Sequence, residues 1–174
     1  MTRIYAPLIV LVASSAVAGP RPTRWELYLA FPSAENAARV SEIAYSPGAI
    51  PEGYGYDAED LAILQSQVLA GDREAFRLTY RLTRNASGAL LEDLYDILAQ
   101  SIRPQTTLFL REMAALAPPD STLSDILLKP GLQYTDRPAA QRYEIDMRRK
   151  AIDGLHDPGI HSIRAKCLAL MAEN

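Results

Sequence analysis

Along residues 57–172 the apolar side chains recur every three or four positions, the spacing that gathers them on one face of an α-helix. In the stretch DAEDLAILQSQVLAG, Leu61, Leu64 and Val68 keep that period. Asp57 suits an N-cap, Glu59 and Asp60 put acid at the positive end of the dipole, and Gly71 behind Ala70 is a stop signal. Asp72 then caps REAFRLTYRL, where Phe76 pairs with Tyr80 and Leu78 with Leu82 at i, i+4. The stretch NASG, residues 85–88, reads as a turn. Beyond it Leu91, Leu94, Leu98 and Ile102 make one stripe, which Pro104 ends. The next helix carries Phe109, Met113 and Leu116, and a short one opens at Ser121 or Thr122. RPAAQRYEIDMRRKAIDGL follows, with Tyr143, Met147, Ala151 and Leu155 four apart as its expected core stripe. The last helix is expected over about 159–172. Connections of two to eight residues favour antiparallel neighbours. The fold class is all-α, about six to eight short helices in a single domain.

The region before Asp57 is less uniform. TRWELYLAF pairs Thr23 with Glu26 as a capping box, yet Trp25, Leu27, Leu29 and Phe31 alternate as in a strand. Its intervening positions are not truly polar, so the reading favours a helix ending at Pro32. SAENAARVSEIAY is a clearer helix, capped by Ser33. SPGAIPEGYGY, residues 46–56, combines prolines, glycines and tyrosines and cannot be regular structure.

The amino terminus changes the picture of where the chain resides. Arg3 is a basic n-region, IYAPLIVLVA is an apolar h-region, and Ala16-Val17-Ala18 fits a small-residue cleavage site. About 20 apolar residues are needed to span a bilayer, and this run is roughly half that. Residues 1–18 therefore read as a cleaved signal peptide, leaving a helical domain over 19–174 that begins at Gly19 and resides in a bacterial periplasm. Loss of Arg3 would move the net charge from −3 to −4, which offers no footprint for nucleic acid or anionic lipid. No stable membrane insertion is expected after cleavage. The single cysteine excludes an internal disulfide despite the oxidising compartment, so the fold must rely on packing.

Candidate chemistry is concentrated in GLHDPGIHSIRAKC, which holds both histidines and the cysteine. Asp157-Pro158 is a turn-and-start signal. Ile160, Ile163, Cys167 and Leu170 fall on one helical stripe, so Cys167 reads as a buried small hydrophobe rather than a nucleophile. His156 and His161 lack the i, i+4 spacing that presents two ligands on one face, and no metal is assigned. The stretch AIDGLHDPGIHSIRAKCLALM resembles the second half of a HEAT-type helical repeat through Leu155, Asp157-Pro158 and Ile163-Arg164. VLAGDREAFRLTYRL is similar through Asp72 and Phe76-Arg77. The resemblance covers about a quarter of residues 19–174 and implies stacked helix pairs that bind without chemistry of their own.

The standard catalytic and phosphate-cradling motifs are missing, and neither a cofactor nor catalytic residues are assigned. The acidic pairs Glu59 and Asp60, Glu92 and Asp93, and Glu144 and Asp146 read as solvated helix faces, with Arg148-Arg149-Lys150 forming surface ion pairs beside the last of them. Three functions remain: a protein-binding module, for instance of the immunity or inhibitor type; an envelope structural or assembly factor; and a small cell-wall glycan hydrolase using paired carboxylates. The binding module is favoured, with another protein as partner. Its contact residues would be Tyr45, Ile50, Tyr54 and Tyr56, since tyrosine offers large amphipathic area at little rotamer cost. The competing reading folds those tyrosines back over the first helices.

Overall fold

The computed structural model describes residues 22–41, 58–131, 134 and 136–172, and among them every regular element is helical. Nine α-helices follow in order: α1 Arg24–Ala30, α2 Ala34–Ser41, α3 Ala58–Leu69, α4 Arg73–Thr83, α5 Gly88–Gln100, α6 Thr106–Leu116, α7 Asp120–Leu128, α8 Pro138–Asp153 and α9 His161–Leu170. A 3₁₀ turn, Pro158–Ile160, leads into α9. The count among the described residues exceeds the six to eight expected.

Local chemistry sets most boundaries. Thr23 Oγ1 accepts from the Glu26 amide at 3.1 Å, and Glu26 Oε2 accepts from the Thr23 amide at 2.6 Å. This reciprocal box resolves the helix-or-strand ambiguity in favour of α1. Trp25 and Tyr28 turn inward with ring centroids 5.9 Å apart, while Phe31, just past the helix end, stays 69% exposed. Ser33 Oγ accepts from the Asn36 amide to open α2. Asp72 Oδ1 accepts from the amides of Glu74 and Ala75 and so caps α4.

The turn between α3 and α4 needs its glycine. Asp72 N–H donates to Gln67 O and Gly71 N–H to Val68 O, a Schellman closure with Gly71 at φ +89°. A Cβ at Gly71 would also stand 2.9 Å from Gln105 Oε1. That side chain donates from Nε2 to Leu69 O, satisfying a carbonyl at the end of α3 from the start of α6. Helix α6 therefore begins at Thr106, after Gln105, and not at Pro104. Helix α7 begins at Asp120, behind Pro119.

Helix α4 is the organising element, packed against α2, α3, α5 and α6. It buries Phe76, Leu78, Tyr80 and Leu82, and Phe76 meets Phe109 of α6 edge to face at 6.0 Å. Leu94 and Leu98 of α5 and Ile102 just beyond it are fully buried, while Leu91 is only half-buried and Leu90 turns inward beside it. Helix α9 packs on α6, α7 and α8 through Ile163 and Cys167. No helix among the described residues is long and apolar enough to cross a membrane.

Leu94 lies at the centre of this core with no exposure. Leu94→Ala is expected to cost about 2–5 kcal/mol through lost burial and a residual cavity. Urea denaturation followed by far-UV circular dichroism measures it, and a variant as stable as the parent would contradict the packing described.

Candidate functional site

The sequence pattern and the structure part company on α8. Pro138 occupies its first turn, where the missing N–H costs nothing. The helix then buries Glu144, Arg148 and Ile152, not the stripe of Tyr143, Met147, Ala151 and Leu155. Tyr143 is 62% exposed, Met147, Ala151 and Leu155 are half-buried, and of these four Leu155 is the one that packs against the core. The helix sits about one residue, or about 100° of rotation, from the register its apolar spelling suggested.

Charge pairing sets that rotation. Arg148 is only 1% exposed and is the bulkiest fully buried side chain among the described residues. Its Nε donates to Glu144 Oε1 at 3.1 Å, one turn earlier on the same helix. Its Nη1 donates to the carbonyls of Leu127 and Lys129, at the end of α7. Burial pushes the guanidinium below its ordinary pKa, and the nearby charges of Glu144 and Asp96 oppose that shift. The other Glu144 oxygen accepts from Arg103 Nη1 at 2.8 Å. Glu144 is thus a buried carboxylate held by two guanidiniums, which corrects its reading as half of a solvated acidic pair. The ion pair with Arg148 follows the expected i, i+4 spacing but lies inside the protein. Asp146 is exposed, so the two carboxylates do not share an environment.

Beside this pair opens a cleft of about 700 Å³. Leu69 at the end of α3 lines it, with Gln100, Arg103 and Pro104 at the end of α5 and Met147, Lys150 and Ala151 along α8. Tyr134, Glu144 and Arg148 complete the wall. Gln100 is fixed by donating to Asp96 Oδ2 at 2.7 Å and accepting from Gln65 Nε2 at 2.7 Å.

A second buried carboxylate was missed in the sequence. Glu112 of α6, 1% exposed, accepts from Arg73 Nε and Arg77 Nε of α4, each at 2.5 Å. The bond to Glu112 holds the Arg77 guanidinium above its usual pKa. Its signal was an acid beside Met113 on the Phe109 face, easily taken for the edge of an amphipathic helix.

The histidine-rich stretch forms a smaller cleft of about 440 Å³, lined by Leu155, His156, Asp157, Pro158, His161 and Arg164. Asp157 is already engaged: Arg111 and the Gly159 amide both donate to it, and the first of these lowers its pKa most. Arg164 donates to the Ile152 and Asp153 carbonyls and to the Asp153 carboxylate, closing the end of α8. The two segments resembling helical repeats share an aspartate cap but use their arginines differently, Arg77 across to α6 and Arg164 back to α8. No cluster of three metal-ligating side chains occurs among the described residues. Cys167 is buried, and that burial pushes its thiol up to about 12. Of the remaining acidic pairs, Glu92 is bridged to Lys129. Tyr45, Ile50, Tyr54, Tyr56 and the cap Asp57 lie outside the described residues. No protein-family model, curated protein or solved structure matches the chain.

Glu144→Ala would leave Arg148 buried beside an empty partner position and is expected to cost about 3–5 kcal/mol. Glu35→Ala, which removes the exposed pair with Arg39, should cost about 0–1 kcal/mol. Chemical denaturation of both variants checks the contrast, and equal losses would contradict it. Cys167 should resist a thiol reagent at pH 8 and react only once denaturant unfolds the chain, because folding holds it protonated until the pH approaches about 12. Labelling of the native protein at the rate of a free thiol would overturn that assignment.

Proposed function

We propose that this chain is an exported helical module that acts by binding another protein, in the manner of an immunity or inhibitor protein, and contributes no catalytic chemistry. The observation that carries this reading is that two of the three buried carboxylates among the described residues are held by guanidiniums, while the third, Asp96, accepts from Gln100. Glu112 is held by Arg73 and Arg77, and Glu144 by Arg103 and Arg148. A general acid or nucleophile needs a proton or electron pair that substrate can reach. These carboxylates are hydrogen-bonded to permanent cations, and the thiol of Cys167 is enclosed. Bulky apolar side chains meanwhile face solvent, Phe31 and Tyr143 above all. The n-region, h-region and small-residue cleavage site support export, and the tyrosine-bearing stretch 46–56 supplies the contact surface.

Periplasmic expression of the full chain with a carboxyl-terminal tag, followed by affinity capture and mass spectrometry, tests the reading. The expected result is a chain beginning at Gly19 that holds one partner in stoichiometric amount. An uncleaved chain retained in the cytoplasm would overturn export. Absence of a partner combined with turnover of cell-wall glycan would overturn binding in favour of hydrolysis. Changing Tyr54 and Tyr56 together to Ser should weaken capture and leave Tm nearly unchanged.

A further inference from the structure

We infer that the cleft beside α8 is a docking groove for an acidic segment of a partner protein that also carries apolar side chains. The inference rests on the protein-binding reading and adds to the stretch 46–56 a second surface and the chemistry of what it takes. Tyr143, Met147 and Ala151 follow one another at four-residue steps along α8, a line of about 12 Å at the helical rise. They have the spelling of a core stripe but have no core to enter, because Glu144 and Arg148 occupy the inward face. Met147 and Ala151 instead line the cleft together with Leu69 and Pro104. An apolar strip of this length, with Met147 and Ala151 in the recess and Tyr143 exposed beyond its lining, suits an extended or helical segment that anchors two or three side chains. Met147, unbranched and polarizable, can adapt to varied anchors.

Charge selects the partner. The chain carries a net charge of −3, yet the cleft is lined by Arg103, Arg148 and Lys150 against the single carboxylate of Glu144. Lys150, exposed at this lining, makes no ion pair with a described residue, and Asp146 stands exposed one turn earlier on the helix. The acid inside the cleft, Glu144, is already neutralised by two guanidiniums. A carboxylate-bearing segment would therefore meet cations at the mouth and apolar surface within, an arrangement that steers encounter and rejects basic partners. An anionic bilayer would also be drawn to these cations, but a flat surface cannot fill a recess whose lining includes Met147, Ala151 and Leu69.

The test uses the full chain with ¹³C-methyl methionine and a defined probe, a twelve-residue peptide alternating Glu and Leu. The Met147 methyl signal should shift on titration while that of Met113, enclosed in the core, stays still. Lys150→Glu should weaken binding about tenfold, the scale expected when one steering cation is reversed. Tyr143→Ser should weaken it severalfold, and both variants should keep the parental Tm because both side chains are exposed. The groove is refuted if the peptide with Gln for Glu binds as well, or if Met147 does not move. Binding of phosphatidylglycerol vesicles through Tyr143 and Lys150 without any peptide binding would refute it in favour of a membrane. Periplasmic capture of a partner undiminished by Lys150→Glu would remove the groove while sparing the broader binding reading. Met147 responding to peptide in a chain that captures no periplasmic protein would do the reverse.

Discussion

A guanidinium cannot be taken out of water without replacing its hydration, and Arg148 obliges the fold around it to do so. Desolvating a cation costs several kcal/mol even after the protein relaxes. The replacement comes from Glu144 on its own helix and from the Leu127 and Lys129 carbonyls on the next segment. Those carbonyls belong to the end of α7, where the last turn leaves acceptors without partners and the dipole is negative. One side chain thus ties α8 to the end of α7, and through Glu144 it extends to Arg103 beyond α5. Helix α8 could not roll to bury Tyr143 and Met147 without stripping Arg148 of the Leu127 and Lys129 carbonyls and Glu144 of Arg103. The open cleft follows from that restriction.

The same device recurs at the other side of the core. Glu112 is buried on α6 and shared by Arg73 and Arg77, four residues apart on α4. In each case one buried carboxylate takes two guanidiniums, so neither oxygen is left desolvated and unpaired. Pairs of this kind add little net stability relative to well-packed apolar residues, but their geometry allows few substitutes. Burial of Phe76, Leu94, Leu98, Phe109 and their neighbours supplies the driving force. The ionic clamps set which faces meet. Arg39 with Glu35 and Arg111 with Asp157 form at the surface, where solvent screens them and side-chain freedom opposes them.

This division explains what could be read from the chain alone. The all-helical class, the capping box at Thr23, the Asp72 cap, the glycine stop at Gly71 and the burial of Cys167 depend on neighbours within a few residues. Local spelling carries that information. The register of α8 does not depend on neighbours in sequence. Tyr143, Met147, Ala151 and Leu155 have the better apolar period, and Arg148 stands in a run of cations that looks like a wet surface. What makes Arg148 an interior residue is a pair of carbonyls about twenty positions away. Glu112 escaped notice for a related reason, since its partners lie 39 and 35 residues earlier. Both candidate surfaces retain some sequence signal. The tyrosines at 54 and 56 stand among prolines and glycines in the sequence, and the stripe on α8 is visible once it is known to be displaced from the core.

An apolar stripe held out of the core is costly by itself, because the same helix could bury it elsewhere. A misplaced Tyr143 and Met147 would be expected to drive α8 toward the alternative rotation, about 100° away. The protein suppresses that state with a charge that has satisfied partners in only one of the two. Reversing the choice would expose Ile152 and bury Tyr143, but it would also strip Arg148 of the Leu127 and Lys129 carbonyls and Glu144 of Arg103. The apolar pull of Tyr143 and Met147 is opposed by these polar contacts, and the polar term decides. A buried ion pair is a poor source of stability and an effective arbiter of register, and on α8 arbitration leaves an apolar, cation-rimmed surface available to a partner.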